Sequence, residues 1–193
     1  WKLLLYDWHV IGLFVFRFAH VVCVGIIWGF VPLYADQKFA ASSSVIGILI
    51  MLGVFISGLI HFPMGYLADK FSKKLMVIAG GMLVSYAILS FIWATKLMDL
   101  IWATILFGIG GGISMPALMA MAVLKGSRIN AMGSIMALMT VAHSLGMLIG
   151  ALLAGMMMDF LYLHWSFPLG AAVMLTSTIM FLAGTRTPKV LGH

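Results

Sequence analysis

The sequence predicts an all-α membrane protein, a bundle of six transmembrane helices. Three observations lead there. Of 193 residues, 64% are hydrophobic and only 8% are charged, with a mean hydropathy of +1.17; a soluble domain carries about 25% charged residues. Apolar runs of about 20 residues recur, each enough to cross roughly 30 Å of hydrocarbon. The few charged residues gather in short loops between those runs.

Residues 1–9 read as the end of a cytoplasmic linker, and 10–184 as the six-helix transmembrane domain. The first span is Val10–Tyr34, closed by the polar stretch around Asp36 and Lys38. Val45–Met64 follows, ending at a basic turn, and Leu75–Thr95 leaves that turn on its far side. Leu100–Leu124 begins after Lys96 and stops before Lys125 and Arg128. Ala131–Met158 is long enough to project past the bilayer, and Tyr162–Gly184 precedes a cytoplasmic tail at 185–193. Helices are required, because a lipid-exposed backbone must satisfy its hydrogen bonds within the segment. The alternation of a barrel strand is absent. The spans divide into two sets of three, which is how nested three-helix repeats are built. The chain begins at Trp1 rather than Met, so it is expected to be a fragment, or one half of something longer.

Counting Lys and Arg gives the orientation. With the N-terminus inside, Lys2, Lys70, Lys73, Lys74, Lys125, Arg128, Arg186 and Lys189 are cytoplasmic, and only Lys38 and Lys96 are outside. That excess on short loops places both termini in the cytoplasm, and the expected location is a bacterial inner (plasma) membrane. Tyr34, Trp93, Trp102, Tyr162 and Trp165 fall at outer span ends, and Tyr6, Trp8 and Tyr66 at inner ones. The basic balance therefore points to membrane lipid as a partner and not to nucleic acid. Cys23 is the single cysteine, so no intrachain disulfide forms.

Four of the sixteen charged residues fall within six positions, in Gly65-Tyr-Leu-Ala-Asp69-Lys70-Phe-Ser72-Lys73-Lys74. Gly65 is expected to let the second helix end against a neighbour. Asp69 and Lys73 are four apart and pair if the third helix begins there, where the dipole would also favour the acid.

This string closely resembles the signature loop of the major facilitator superfamily, which joins the second and third helices of each six-helix half. Here it stands between spans two and three, on the cytoplasmic side, preceded by Phe62-Pro63-Met64. Ser72 replaces the family's usual Gly. The resemblance implies a secondary active transporter moving a small molecule by alternating access, and it allows proton-coupled efflux. No cofactor and no bound metal are expected. The resemblance also implies that Gly65, Asp69, Lys70, Lys73 and Lys74 form a conformational latch; the alternative is a purely orienting basic loop. The fourth span lacks the family's N-terminal-half Arg, and the fifth lacks its Gly-Pro pair. The chain is thus expected to be the C-terminal half, working with a second six-helix half, covalent or as a homodimer.

Arg17 is the one charged side chain placed within a span, with His20 three residues on along the same face. Arg17 either meets substrate, an anion or another helix, or snorkels to the interface. His20 and His143 are candidates for substrate contact or proton relay, although a satisfied core histidine is the commoner reading of each. Met132, Met136, Met139, His143, Gly146 and Gly150 form one stripe of the fifth span, and Gly146-x-x-x-Gly150 permits close helix approach. Thr104, Gly108, Gly112, Met115 and Met119 share a face of the fourth. The expected pathway residues are Arg17, His20, His143, Met139, Met136 and Met115; the expected packing residues are Gly108, Gly112, Gly146 and Gly150. Gly110-Gly111-Gly112 and Pro116 mark either a broken helix lining a cavity or a packing kink.

Two alternatives are weighed. Seventeen Met residues, several paired with Met or His at i, i+4, suit copper(I) transport, but also suit a greasy pocket. An intramembrane serine protease needs a serine such as Ser134 near a later His, and only His164 and His193 follow His143, outside the membrane core. No phosphate-binding G-x-x-x-x-G-K-[ST] loop occurs. The reading is a transporter and not an enzyme.

Overall fold

All six apolar runs form α-helix in the structure, a computed structural model that describes residues 6–160 and 166–185. In order they are α1 (Trp8–Phe39), α2 (Ser43–Lys70), α3 (Lys73–Ser90), α4 (Leu97–Arg128), α5 (Met132–Phe160) and α6 (Ser166–Gly184). Most are longer than the hydropathy runs, because hydropathy registers only the stretch inside hydrocarbon. A 32-residue helix such as α1 or α4 spans about 48 Å at 1.5 Å per residue, so its ends continue through the interface to their caps. α1 starts at Trp8, two residues before the predicted span, since Asp7 caps it by accepting from the His9 N–H at 2.9 Å. α4 starts where Asp99 accepts from the N–H groups of Thr95 (2.8 Å) and Lys96 (2.9 Å). α3 is shorter than predicted, ending at Ser90 in a turn through Trp93.

α4 and α1 are the two organising helices. α4 lies against α2 and α3, while α1 lies against α5 and α6; α3 meets α6 and α1 meets α4. This pairing maps onto itself when the first three helices are exchanged for the last three.

Small residues set the close contacts. A Cβ on Gly150 would stand 2.6 Å from the Val22 carbonyl oxygen and 3.0 Å from the Gly25 Cα. A Cβ on Gly146 would stand 2.7 Å from the Phe18 carbonyl oxygen. On α4, three consecutive glycines serve three neighbours, because successive helical residues point about 100° apart. Gly110 meets Val84 of α3, Gly111 faces His20 of α1, and Gly112 meets Ile60 of α2. Gly108 fits against the Gly53 carbonyl of α2. α4 runs unbroken through these glycines and Pro116, so the broken helix is ruled out and the triplet acts as a packing device.

Two clasps fix the ends of α1. At the basic end, Lys125 in the last turn of α4 pairs with Asp7 at 2.5 Å. At the other end, Lys38 donates to the Tyr34 hydroxyl (2.6 Å) and to the Ala94 carbonyl (2.7 Å). Tyr34 is therefore no interface aromatic: it is buried edge-on to Phe167 and Phe39. Tyr162 and Trp165 lie outside the described residues, as do Lys2, Arg186 and Lys189.

The Asp7 clasp makes a prediction. Partial burial pushes the Asp7 carboxyl upward, but hydrogen bonds from Lys125 and the His9 N–H outweigh it, so the group sits below its ordinary value. A lowered folded value means the clasp stabilises fully above the ordinary aspartate range near 4 and loses that contribution as pH falls below it. Asp7→Asn should therefore lower stability at pH 7 by up to about 1 kcal/mol. Melting curves should show this deficit shrinking as pH is taken below 4.

Candidate functional site

The ionisable side chains within the spans, Arg17, His20 and His143, gather at the seam where α1 crosses α4, with α5 on one side and α2 on the other. Arg17 lies nine residues into α1, about 13 Å along the helix. Its guanidinium does not run to the interface. Nη1 donates to the Met115 sulfur of α4 at 2.8 Å, and Nη2 lies 3.4 Å from His143 Nδ1 on α5. A guanidinium only donates, so that contact requires the lone pair on His143 Nδ1. Nε is buried and has no partner among the described residues.

Among the described residues no carboxylate pairs with this charge. The five acids are Asp7, Asp36, Asp69, Asp99 and Asp159, and each stands within four residues of a helix end. Arg17 is thus a cation in the helix interior, flanked by a thioether and an imidazole.

One turn further from the basic end, His20 is 7% exposed, and neither ring nitrogen has a partner among the described residues. The ring lies nearly parallel to Phe107 at 5.9 Å. Its Nε2 is 3.0 Å, and the Ser57 hydroxyl 3.5 Å, from the point where a Gly111 Cβ would stand; glycine there leaves both groups their room. His20 borders a cavity of about 310 Å³ between α1, α2 and α4, walled by Trp28, Ser57, His61, Thr104 and Phe107 among others. His61 Nδ1–H donates to the Ser57 carbonyl. A larger recess of about 920 Å³ opens at the basic end around Trp8, Arg128 and Gly184. It lies beside the interfacial clasp, away from the buried polar groups.

The structure brings Arg17, Met115 and His143 together and sets His20 one turn away. Met139 is buried in the core, Met136 is half-buried, and Met132 is 47% exposed. The fifth-span stripe is therefore not uniformly inward: Gly146 and Gly150 are covered by α1, while His143 stands exposed at the seam's edge. Sequence reasoning missed His61, Ser57 and Phe107. His61 carried a usable signal, being an ionisable side chain inside an apolar run.

The basic turn also differs from expectation. Asp69 is in the last turn of α2 and Lys73 opens α3, so the acid sits at a helix C-terminus and Lys73 and Lys74 at an N-terminus. Both are the disfavoured ends of the dipole. Asp69 makes no ion pair with Lys73 among the described residues, and Lys70 lies over the Tyr66 ring at 4.4 Å. Nothing lies within 4 Å of a Cβ on Gly65, so no neighbour within the described chain closes on that glycine.

Six apolar helices, an unbalanced internal cation and this loop stand together on one chain. The family model of the Major Facilitator Superfamily matches residues 13–192. The chain belongs to that superfamily. It is an integral, multi-pass membrane transporter, and its six helices are the number in one superfamily half. Superfamily members carry small molecules across membranes and are not enzymes. No curated protein matches the chain.

Proposed function

We propose that the chain is the C-terminal six-helix half of a secondary active transporter working by alternating access, with both termini cytoplasmic in a bacterial inner membrane. Its substrate path runs along the α1–α4 seam past Arg17, His143 and His20. The observation that carries this reading is Arg17. An uncompensated cation at membrane depth is costly to insert, and such groups mark ion and substrate pathways. Proton-coupled efflux is the mode proposed. With no acid in the helix interiors of this half, the histidines of the seam are its proton-carrying groups.

A second six-helix half, covalent or a second copy, completes the path. Among glycines of the described residues, those with nothing within 4 Å of a Cβ are Gly47, Gly58 and Gly65 on α2 and Gly133 and Gly155 on α5. Those two helices exchange with one another in the packing pattern. Open small-residue faces allow close helix approach, and here they are left for the other half. The latch belongs to the same surface: Asp69, Lys73 and Lys74 oppose their own helix dipoles and find their counter-charges on the partner.

The copper reading lacks support where it is most specific, because the Met115 sulfur is already occupied by the Arg17 guanidinium. The protease reading has none, and His164 and His193 lie outside the described residues.

Thiol labelling tests the proposal, with buried Cys23 as a silent background. An impermeant reagent should modify Ser72→Cys only from the cytoplasmic face, and Ser57→Cys from both faces. Labelling of Ser72→Cys from outside would reverse the orientation. A Ser57→Cys that reacts from neither side would remove the cavity from the transport path.

A further inference from the structure

We propose that the ligand of this seam is an aromatic monoanion, a weak organic acid whose carboxylate meets Arg17 and whose ring occupies the 310 Å³ cavity; this rests on the transporter reading of the same site.

The charge of the ligand follows from what surrounds it. Among the described residues His20 and His61 are the ionisable groups that line the cavity, and Arg17, beside His143, stands one helical turn along α1 from His20; all are cationic or neutral. A cationic ligand would add like charge beside Arg17 in a low-dielectric interior, where such repulsion is poorly screened. An anion supplies the missing counter-ion. The guanidinium fork matches a carboxylate in shape, and its Nε is left unpartnered by Met115 and His143.

Three buried polar atoms lack partners within four residues of one helix face: Arg17 Nε, His20 Nδ1 and His20 Nε2. Buried polar groups are nearly always satisfied, and His20 and Ser57 line the same cavity, so a ligand oxygen held there has both as partners. The body of the ligand follows from the remaining walls. Trp28 and Phe107 are flat, Ile27, Val31 and Leu49 are aliphatic, and no carboxylate lines the cavity. Its volume sits at the small end of the roughly 300–1,000 Å³ range of ligand pockets, which fits one or two fused rings.

The test uses the whole chain in lipid nanodiscs and equilibrium dialysis, with empty nanodiscs subtracting partition into lipid. The probes are 1-naphthoate, 1-naphthylmethanol and 1-naphthylmethylamine, which share a ring system and differ in charge. Naphthoate should bind saturably and at least about tenfold tighter than the alcohol, with no saturable binding of the amine. Arg17→Gln should weaken naphthoate about tenfold or more and leave the alcohol unchanged, while Arg17→Lys keeps most of the preference. Should the amine or alcohol bind as tightly as naphthoate, or Arg17→Gln leave naphthoate unaffected, the anion assignment falls while the transporter reading stands on its labelling test. Absence of saturable binding by all three probes overturns the cavity as the ligand site.

Discussion

Gly150→Leu is expected to unseat α5 from α1 and abolish the folded bundle, whereas Gly155→Leu, little more than one turn away, should leave it intact. The contrast comes from what each new side chain meets. At Gly150 a Cβ already falls 2.6 Å from the Val22 carbonyl oxygen, 3.0 Å from the Gly25 Cα and 3.2 Å from the Val22 Cα. These are main-chain atoms of a packed helix and cannot swing aside as a side-chain tip would. At Gly155 nothing among the described residues lies within 4 Å. Even Gly150→Ala should lower stability by about 1–3 kcal/mol, the usual range for overpacking a tight contact. Gly155→Ala should be neutral or gain up to about 1 kcal/mol from helix propensity. Both alanine variants share that propensity gain, so their difference isolates the α1–α5 contact. Unfolding in detergent micelles, followed by helical circular dichroism, measures it. Equal stability of the two would mean that α1 and α5 do not approach at this point.

How far the sequence discloses this architecture depends on the range of each interaction. Apolar length is a local property, and the six runs were legible because a span must satisfy its own backbone. Glycine spacing was legible as potential for close approach, but not as to which neighbour approaches. Gly110-Gly111-Gly112 is the clearest case. Three glycines in a row suggest a break, yet each points at a different helix, and only a central position in the bundle makes that arrangement packing. Tyr34 failed for the same reason, since its place at a span end suits an interfacial ring until Phe167, 133 positions later, folds over it. The Asp7–Lys125 clasp joins residues 118 apart and leaves no local trace. Asp69 turned on a helix boundary: a favourable dipole contact needed α3 to begin there, but α2 runs on to Lys70 and α3 opens at Lys73, which makes the contact unfavourable. Of the candidate site, the ionisable members of α1 and α5 stood out against their apolar surroundings. On α2, Ser57 went unseen because it gains its meaning from Gly111, on another helix, whereas His61 was legible as an ionisable group in an apolar run and was passed over.

Arg17→Met is expected to raise the stability of the bundle while removing its preference for anions. Placing a cation at the bilayer centre costs about 2.5–3.5 kcal/mol on insertion scales, an upper bound for Arg17, which stands about 13 Å into a helix of about 48 Å. Arg17 recovers little of that, since its partners are a thioether and a neutral imidazole nitrogen rather than a carboxylate. Methionine is unbranched and adapts to irregular space, so it fills the same channel beside Met115 without the charge. A gain of up to about 3 kcal/mol in unfolding free energy is therefore expected, with the upper value reached only if nothing in the unfolded reference solvates the arginine. The naphthoate selectivity should vanish in the same protein. A residue that weakens the fold and serves a ligand gives opposite signs in these two measurements. A residue that holds helices together gives the same sign in both, because α5 would lose its tie to α1 and the cavity would deform with it. Destabilisation of Arg17→Met would thus recast the Arg17–His143 contact as a structural brace, and the missing counter-ion would have to come from the second half.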